Sequence, residues 1–261
     1  MTRRTFLGTA AAALTVSASG AVKLNLGIGS YTYHSLSIDD MITQLKRLEI
    51  HEIEMSHGAY MLFSHPAPEK FEAAKSKFDT AGIRCVSYYA ATIKDDVDLG
   101  NAVRFAKLLA ARNITGDATG DILKRIDARC TSEGLTFGIH NHYFQQKFAY
   151  ESPEDVLAAL SGLSKTMGAS LDVGHIASCG HDTVDAVRKL APHLKMVHLK
   201  DVQAAGGEVN VLLGTGIAKI PEVMKELRNV GYKGLVAIEY EHEGSVDEAV
   251  RLEVEYARRL L

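Results

Sequence analysis

The residues able to do chemistry in this 261-residue chain are concentrated where apolar runs stop. The run 169–171 leads into Asp172 and then, across Gly174, into His175. A second run ends as Gly138-Ile139-His140-Asn141-His142. A third ends as Val197-His198-Leu199-Lys200-Asp201, and a fourth as Ile238-Glu239-Tyr240-Glu241. One His or acid at the end of an apolar run is ordinary, because chain ends of strands are solvated. Four endings in the same style point to one shared site. Two imidazoles and two carboxylates, from His140, Asp172, His198 and Glu239, suit a borderline divalent ion: Mn²⁺ first, with Zn²⁺ or Co²⁺ as alternatives. His142 shares the strand face of His140, so it is either a replacement ligand or a group that contacts substrate. His175, three residues past Asp172, is better placed for substrate than for metal.

Other residues carry weaker signals. Glu54 closes the apolar stretch 53–55 and is either a structural carboxylate or a base and hydroxyl-binding group reaching in from the opposite wall. Tyr31, Tyr33, His34 and Tyr88-Tyr89 line a polar-aromatic pocket or pack beneath loops. Lys200-Asp201 reads as a local ion pair or as a contact for a substrate hydroxyl or oxyanion. His181 and Asp182 read as loop surface.

These side chains need elements to hold them. Strand patterns fall at 23–30, 51–55, 83–89, 113–115, 135–140, 167–172, 195–199 and 235–240. Helical patterns fall at 41–48, 69–81, 98–111, 121–133, 152–163 and 183–190, then from Ile220 to a stop at Gly231, and over 245–260. Ser37 is a candidate N-cap, Pro153 and Pro221 sit in first turns, and Gly82 and Gly134 follow last turns. Eight strand–helix units without a linker predict a closed (β/α)8 barrel, a TIM barrel, as a single domain over 22–261. An open doubly wound sheet would carry a phosphate-binding glycine turn after the first strand. Gly27-Ile28-Gly29 lacks the third glycine, so these glycines read as tight backbone packing. In a barrel, chemistry gathers at the carboxyl ends of the strands, where all four motifs end.

Composition bounds the rest. With 46% apolar residues the chain can bury a large core. A net charge of −3 argues against a nucleic-acid partner. Cys85, Cys130 and Cys179 are an odd number at irregular spacing and imply no disulfide framework. Residues 1–21 read as a cleaved export signal: Arg3-Arg4 precedes Phe6-Leu7, a short apolar stretch and a small-residue end. The paired arginines look like a twin-arginine signal, which implies a bacterial periplasmic location. That apolar stretch is too short for a stable membrane span. Loss of Arg3 and Arg4 takes the formal charge from −3 to −5. Oligomeric state is not set by the sequence.

The motifs Gly138–His142, Leu171–His175, Val197–Asp201 and Ala237–Tyr240 resemble those of the sugar phosphate isomerase/epimerase superfamily, the xylose-isomerase-like barrels. The resemblance covers essentially the whole mature chain. It implies a divalent ion held by a Glu, an Asp, a His and a second Glu from four strand ends. Asp172, His198 and Glu239 match that set, and His175 matches a substrate-contacting His. The first Glu is His140 here, within the His-Asn-His form of one branch. The resemblance implies a small carbohydrate substrate and metal-dependent isomerisation or epimerisation. Glu239 would move the proton on one face, and His142 or His175 on the other, with Lys200, Tyr33 and Glu54 as substrate contacts. The alternative it implies is a lyase or dehydratase on an oxidised sugar, polyol or 3-keto-glycoside, since the paired glutamate is missing. Endonuclease IV shares this barrel, but its DNA substrate calls for a basic face that this chain lacks.

Overall fold

Each apolar run of the strand pattern is flanked by a helix whose apolar stripe must cover it, and in the computed structural model the strands close on themselves. The structure describes residues 22–56, 67–143, 149–241 and 246–261; the expected export segment lies outside the described residues. The strands are β1 (Asn25–Gly29), β2 (Glu52–Ser56), β3 (Arg84–Thr92), β4 (Asn113–Asp117), β5 (Thr136–His140), β6 (Met167–Asp172), β7 (Leu194–Leu199), β8 (Asp201–Val202), β9 (Asn210–Val211) and β10 (Leu235–Ile238). The barrel runs β1-β10-β7-β6-β5-β4-β3-β2 and closes, so no open edge is left. Its neighbours pair in parallel throughout. The expected single-domain (β/α)8 barrel is what forms.

The helices are α1 (Ile38–Arg47), α2 (Pro68–Ala81), α3 (Asp96–Leu108), α4 (Ile122–Glu133), α5 (Pro153–Leu160), α6 (Val173–Ser178), α7 (Thr183–Leu190), α8 (Ile220–Asn229) and α9 (Asp247–Arg259). Their ends follow local chemistry. Ser37 caps α1 by accepting from Asp40 N, and Ser152 and Asp155 form a capping box at α5. Asp182 is the N-cap of α7, accepting from Val184 N and Asp185 N.

Two elements depart from the sequence reading. α6 follows β6 directly, because the Asp172 side chain caps it and starts a helix where a loop was expected. The small β8–β9 hairpin forms because Asp201 accepts backbone N–H bonds from Gly214, Gly216 and Ala218 at 2.9–3.0 Å and gathers the following loop.

The barrel interior is layered. Met196, Leu235 and Ala237 form an apolar plug packed by Val86. Above it the hydroxyls of Ser87, Thr115 and Ser170 bond to one another across β3, β4 and β6. The next layer carries the charged and imidazole side chains. Tight closure is visible at Gly27, where an added Cβ would collide with the Glu52 carbonyl oxygen of β2. That agrees with the packing role expected of this glycine.

Candidate metal centre at the carboxyl end of the barrel

Alternation along each strand sends every second side chain inward. In register, His140 lies beside Ser170, Asp172 beside His198, and His198 beside Ala237. Glu239 follows immediately after β10, its N–H held by the Leu199 carbonyl. His140, Asp172, His198 and Glu239 therefore converge. All four are buried, and each offers a ligand atom within 4.8 Å of the others. His140 Nε2 is 2.9 Å from His198 Nδ1, and His198 Nδ1 is 3.3 Å from Glu239 Oε2 and 3.9 Å from Asp172 Oδ2.

The residues fit a cation better than they fit one another. Asp172 Oδ2 is buried and accepts no hydrogen bond among the described residues, its charge being met by the Lys200 ammonium 3.2 Å away. Two donors bound at about 2.1 Å with a right angle between them sit roughly 3 Å apart, the spacing of the two imidazole nitrogens. Glu54 supports this arrangement from β2. A carboxylate only accepts, so its Oε2, at 2.6 Å, holds the proton on His198 Nε2 and leaves Nδ1 to face the cluster. Ser87 donates to the other Glu54 oxygen at 2.7 Å. Asn141 explains the middle of the His-Asn-His motif. Its amide donates to the Asp172 carbonyl at 3.0 Å and accepts from the Asp172 N–H at 2.9 Å, extending the β5–β6 ladder past its end.

Lys200 is fully buried, its Nζ 3.2 Å from Asp172, 3.4 Å from Glu239 and 2.8 Å from Glu241. Burial alone would discharge it, but these carboxylates hold its pKa well above the usual lysine value. Room for its stem comes from Gly174, where a Cβ would press on Lys200 Cγ at 2.8 Å. Lys200 and Asp201 do not pair with each other: one faces the cluster, the other ties down the loop. Burial tends to lower the His198 pKa, yet Glu239, Glu54 and Asp172 raise it to about 9, so without an ion this ring is cationic at neutral pH. Burial keeps His140 neutral, and holds His175 neutral with its pKa down at about 3. Burial also raises the Glu239 carboxyl above its ordinary range despite His198 and Lys200.

The remaining site residues fall as follows. His142 lies beside His140, its Nε2 3.0 Å from His140 Nδ1. His175 stands on the first turn of α6, its ring 5.5 Å from that of His142. Glu54 points at His198 from inside the barrel. Tyr33 ends a short 3-10 turn, Ser30–Tyr33, and is fully buried with the hydrophobic core, because the turn interrupts the alternation that would have faced it to the mouth. Tyr31 is the half-exposed aromatic there; burial, then Glu241 and Glu239, raise its hydroxyl pKa. Asp117 was missed. β4 extends to it, and its Oδ2 sits 3.0 Å from His142 Nε2. The signal was present, since Asn113, Thr115 and Asp117 alternate and end on an acid as the other strands do.

The model of the xylose isomerase-like TIM barrel family matches residues 33–260. Among curated proteins, an uncharacterised protein of Methanocaldococcus jannaschii, MJ1311, aligns over 109 residues at 26% identity, covering 41% of this chain and 37% of that protein. Solved structures share the fold. The probable 3-DHS dehydratase AsbF of Bacillus anthracis superposes with a TM-score of 0.75 at 13% identity, covering 90% of this chain and 98% of that one. A D-tagatose 3-epimerase-like protein gives 0.73 at 18%, covering 90% and 96%. The IOLI protein, which holds a zinc atom, gives 0.71 at 13%, covering 90% and 97%.

Proposed function

The chain belongs to the xylose isomerase-like TIM barrel family, and from that premise we propose that it is a divalent-metal-dependent isomerase or epimerase of a sugar or keto-sugar. The observation that carries this reading is the order of groups across the mouth. Glu239 and His142 bracket the His140–His198 pair, with Glu239 3.3 Å from His198 on one side and His142 3.0 Å from His140 on the other. His140, Asp172, His198 and Glu239 would hold the ion, Mn²⁺ in the first instance. When bound it polarises a carbonyl and acidifies the neighbouring C–H.

The protein side of the chemistry then divides between named groups. Glu239 takes the proton from one face and returns it there. His142 delivers or accepts on the other face, and His175 and Lys200 bind hydroxyls. Glu54 orients His198. Similarly folded proteins named as an epimerase-like protein and as a zinc-holding protein support this reading. The reading includes export of the enzyme by residues 1–21, which cell fractionation tests.

A second reading, a lyase or dehydratase on an oxidised sugar, polyol or 3-keto-glycoside, is favoured by Lys200. This buried ammonium lies 3.4 Å from Glu239 and can protonate a departing oxygen. Incubation with free ketoses and with a 3-keto-glycoside in deuterated water tests both. Deuterium in recovered or epimerised sugar supports the first reading, loss of aglycone or water supports the second, and neither product with any substrate overturns both.

A further inference from the structure

Negative charge outweighs positive charge at the mouth of the barrel. Glu54, Asp117, Asp172 and Glu239 are buried there, and Glu241 is half-buried beside Lys200. Among the described residues Lys200 is the sole Lys or Arg paired with any of these carboxylates. Three of them already surround its ammonium at 2.8–3.4 Å. Lys200 therefore offers an incoming anion no surplus of positive charge.

The β8–β9 hairpin brings one more carboxylate. The Asn210 side chain joins two backbones, its Oδ1 accepting the Glu241 N–H at 3.1 Å and its Nδ2 donating to the Glu208 carbonyl at 3.1 Å. The hairpin is thereby seated on the chain that leaves β10, with Glu208 at its rim. Burial and then Glu241 raise the Glu208 carboxyl pKa, while Lys200 and His142 lower it, so this carboxyl stands in the field of the cluster. The segments 57–66, 144–148 and 242–245 carry Lys147 and Glu243 and add no net charge with His neutral. Once one divalent ion is bound, the six carboxylates named face only that ion and Lys200, and the excess is negative.

We propose that this mouth admits uncharged sugars and turns away phosphorylated ones, with Glu208 and Glu241 as the discriminating charges. The inference rests on the isomerase or epimerase reading and names the class of substrate it takes. A phosphate ester carries close to two negative charges and would bring them into a site where water is scarce and repulsion is poorly screened. An uncharged sugar meets no such opposition, and its hydroxyls can donate to the same carboxylates.

The test is solvent deuterium exchange by the Mn²⁺-loaded full chain in deuterated water. The probes are D-fructose, D-tagatose, D-sorbose and D-psicose, beside the 6-phosphates of fructose and tagatose. The best free ketose should exceed the best phosphate by roughly a hundredfold in kcat/KM. Added salt should raise kcat/KM for the phosphates alone, because it screens the repulsion. Glu208→Lys should narrow the ratio roughly tenfold and Glu208→Gln about threefold. Phosphates exchanged as fast as free ketoses overturn the inference and leave the isomerase or epimerase reading standing. A ratio that neither salt nor Glu208→Lys moves overturns the electrostatic assignment to the rim. No exchange into any of these sugars, free or phosphorylated, overturns the isomerase or epimerase reading and the inference with it.

Discussion

Asp172 divides its two oxygens between two tasks at His175. Oδ1 accepts the His175 backbone N–H at 2.9 Å and caps α6, whereas Oδ2 lies 3.7 Å from the His175 ring and accepts no hydrogen bond among the described residues. One carboxylate thus builds the helix that carries His175 and leaves an oxygen for an ion.

The two tasks separate by mutation. Asp172→Asn keeps a capping oxygen but takes a carboxylate from the Lys200 ammonium 3.2 Å away, so the metal-free protein should lose roughly 3 kcal/mol while α6 stays capped. Its bound metal and turnover should fall together, by about a hundredfold for turnover. Thermal melts after EDTA treatment, set beside metal content and activity, check this. An Asp172→Asn protein with wild-type metal content contradicts it.

Glu54 acts through His198. Glu54→Gln loses the fixed acceptor that keeps the proton on Nε2, so metal affinity should drop roughly 10- to 100-fold. Competition against a fluorescent chelator measures it. Unchanged affinity would return Glu54 to the role of a substrate contact.

Protons and cations compete at His198. Its pKa stands near 9 in the folded metal-free protein against 6.5 unperturbed, so an ion must displace a proton below pH 9. Metal affinity should rise with pH up to about 9 and then level off. The stability linkage has the opposite slope. The stabilisation from cationic His198 is fully present below pH 6.5 and is lost as pH rises through about 9 in the metal-free protein. Titration calorimetry with Mn²⁺ and melts of the stripped protein across pH 6–10 test the two slopes.

Lys200 balances three carboxylates when no ion is present. Lys200→Met should destabilise the stripped protein by about 3–5 kcal/mol, because it strands buried charge. Added Mn²⁺ should recover part of that loss by partnering Asp172 and Glu239. Denaturant midpoints with and without Mn²⁺ read both effects.

Much of this was legible in the chain itself. The eight strands follow from apolar runs punctuated by Gly82, Gly134 and Gly231, and β6 and α7 fall on the expected residues. Convergence of His140, Asp172, His198 and Glu239 follows from alternation once the barrel closes. Other features depended on side-chain contacts, some local and some distant in sequence. α6 exists because Asp172 turns back to cap it, and Asp201 organises a loop more than ten residues away. Glu54 meets His198 across 144 positions, so no local pattern could pair them. Asp117 was hidden by a weak strand pattern, since Gly116 breaks the apolar signal just before it.

The most direct measurement is solvent deuterium exchange into a keto-sugar by the protein stripped with EDTA, before and after Mn²⁺ is restored, alongside Glu239→Gln. Exchange should vanish on stripping, return with Mn²⁺, and stay absent in Glu239→Gln even when that variant is reloaded. Exchange that persists in stripped protein, or in reloaded Glu239→Gln at the wild-type rate, would contradict a cation and a carboxylate acting together at the mouth of this barrel.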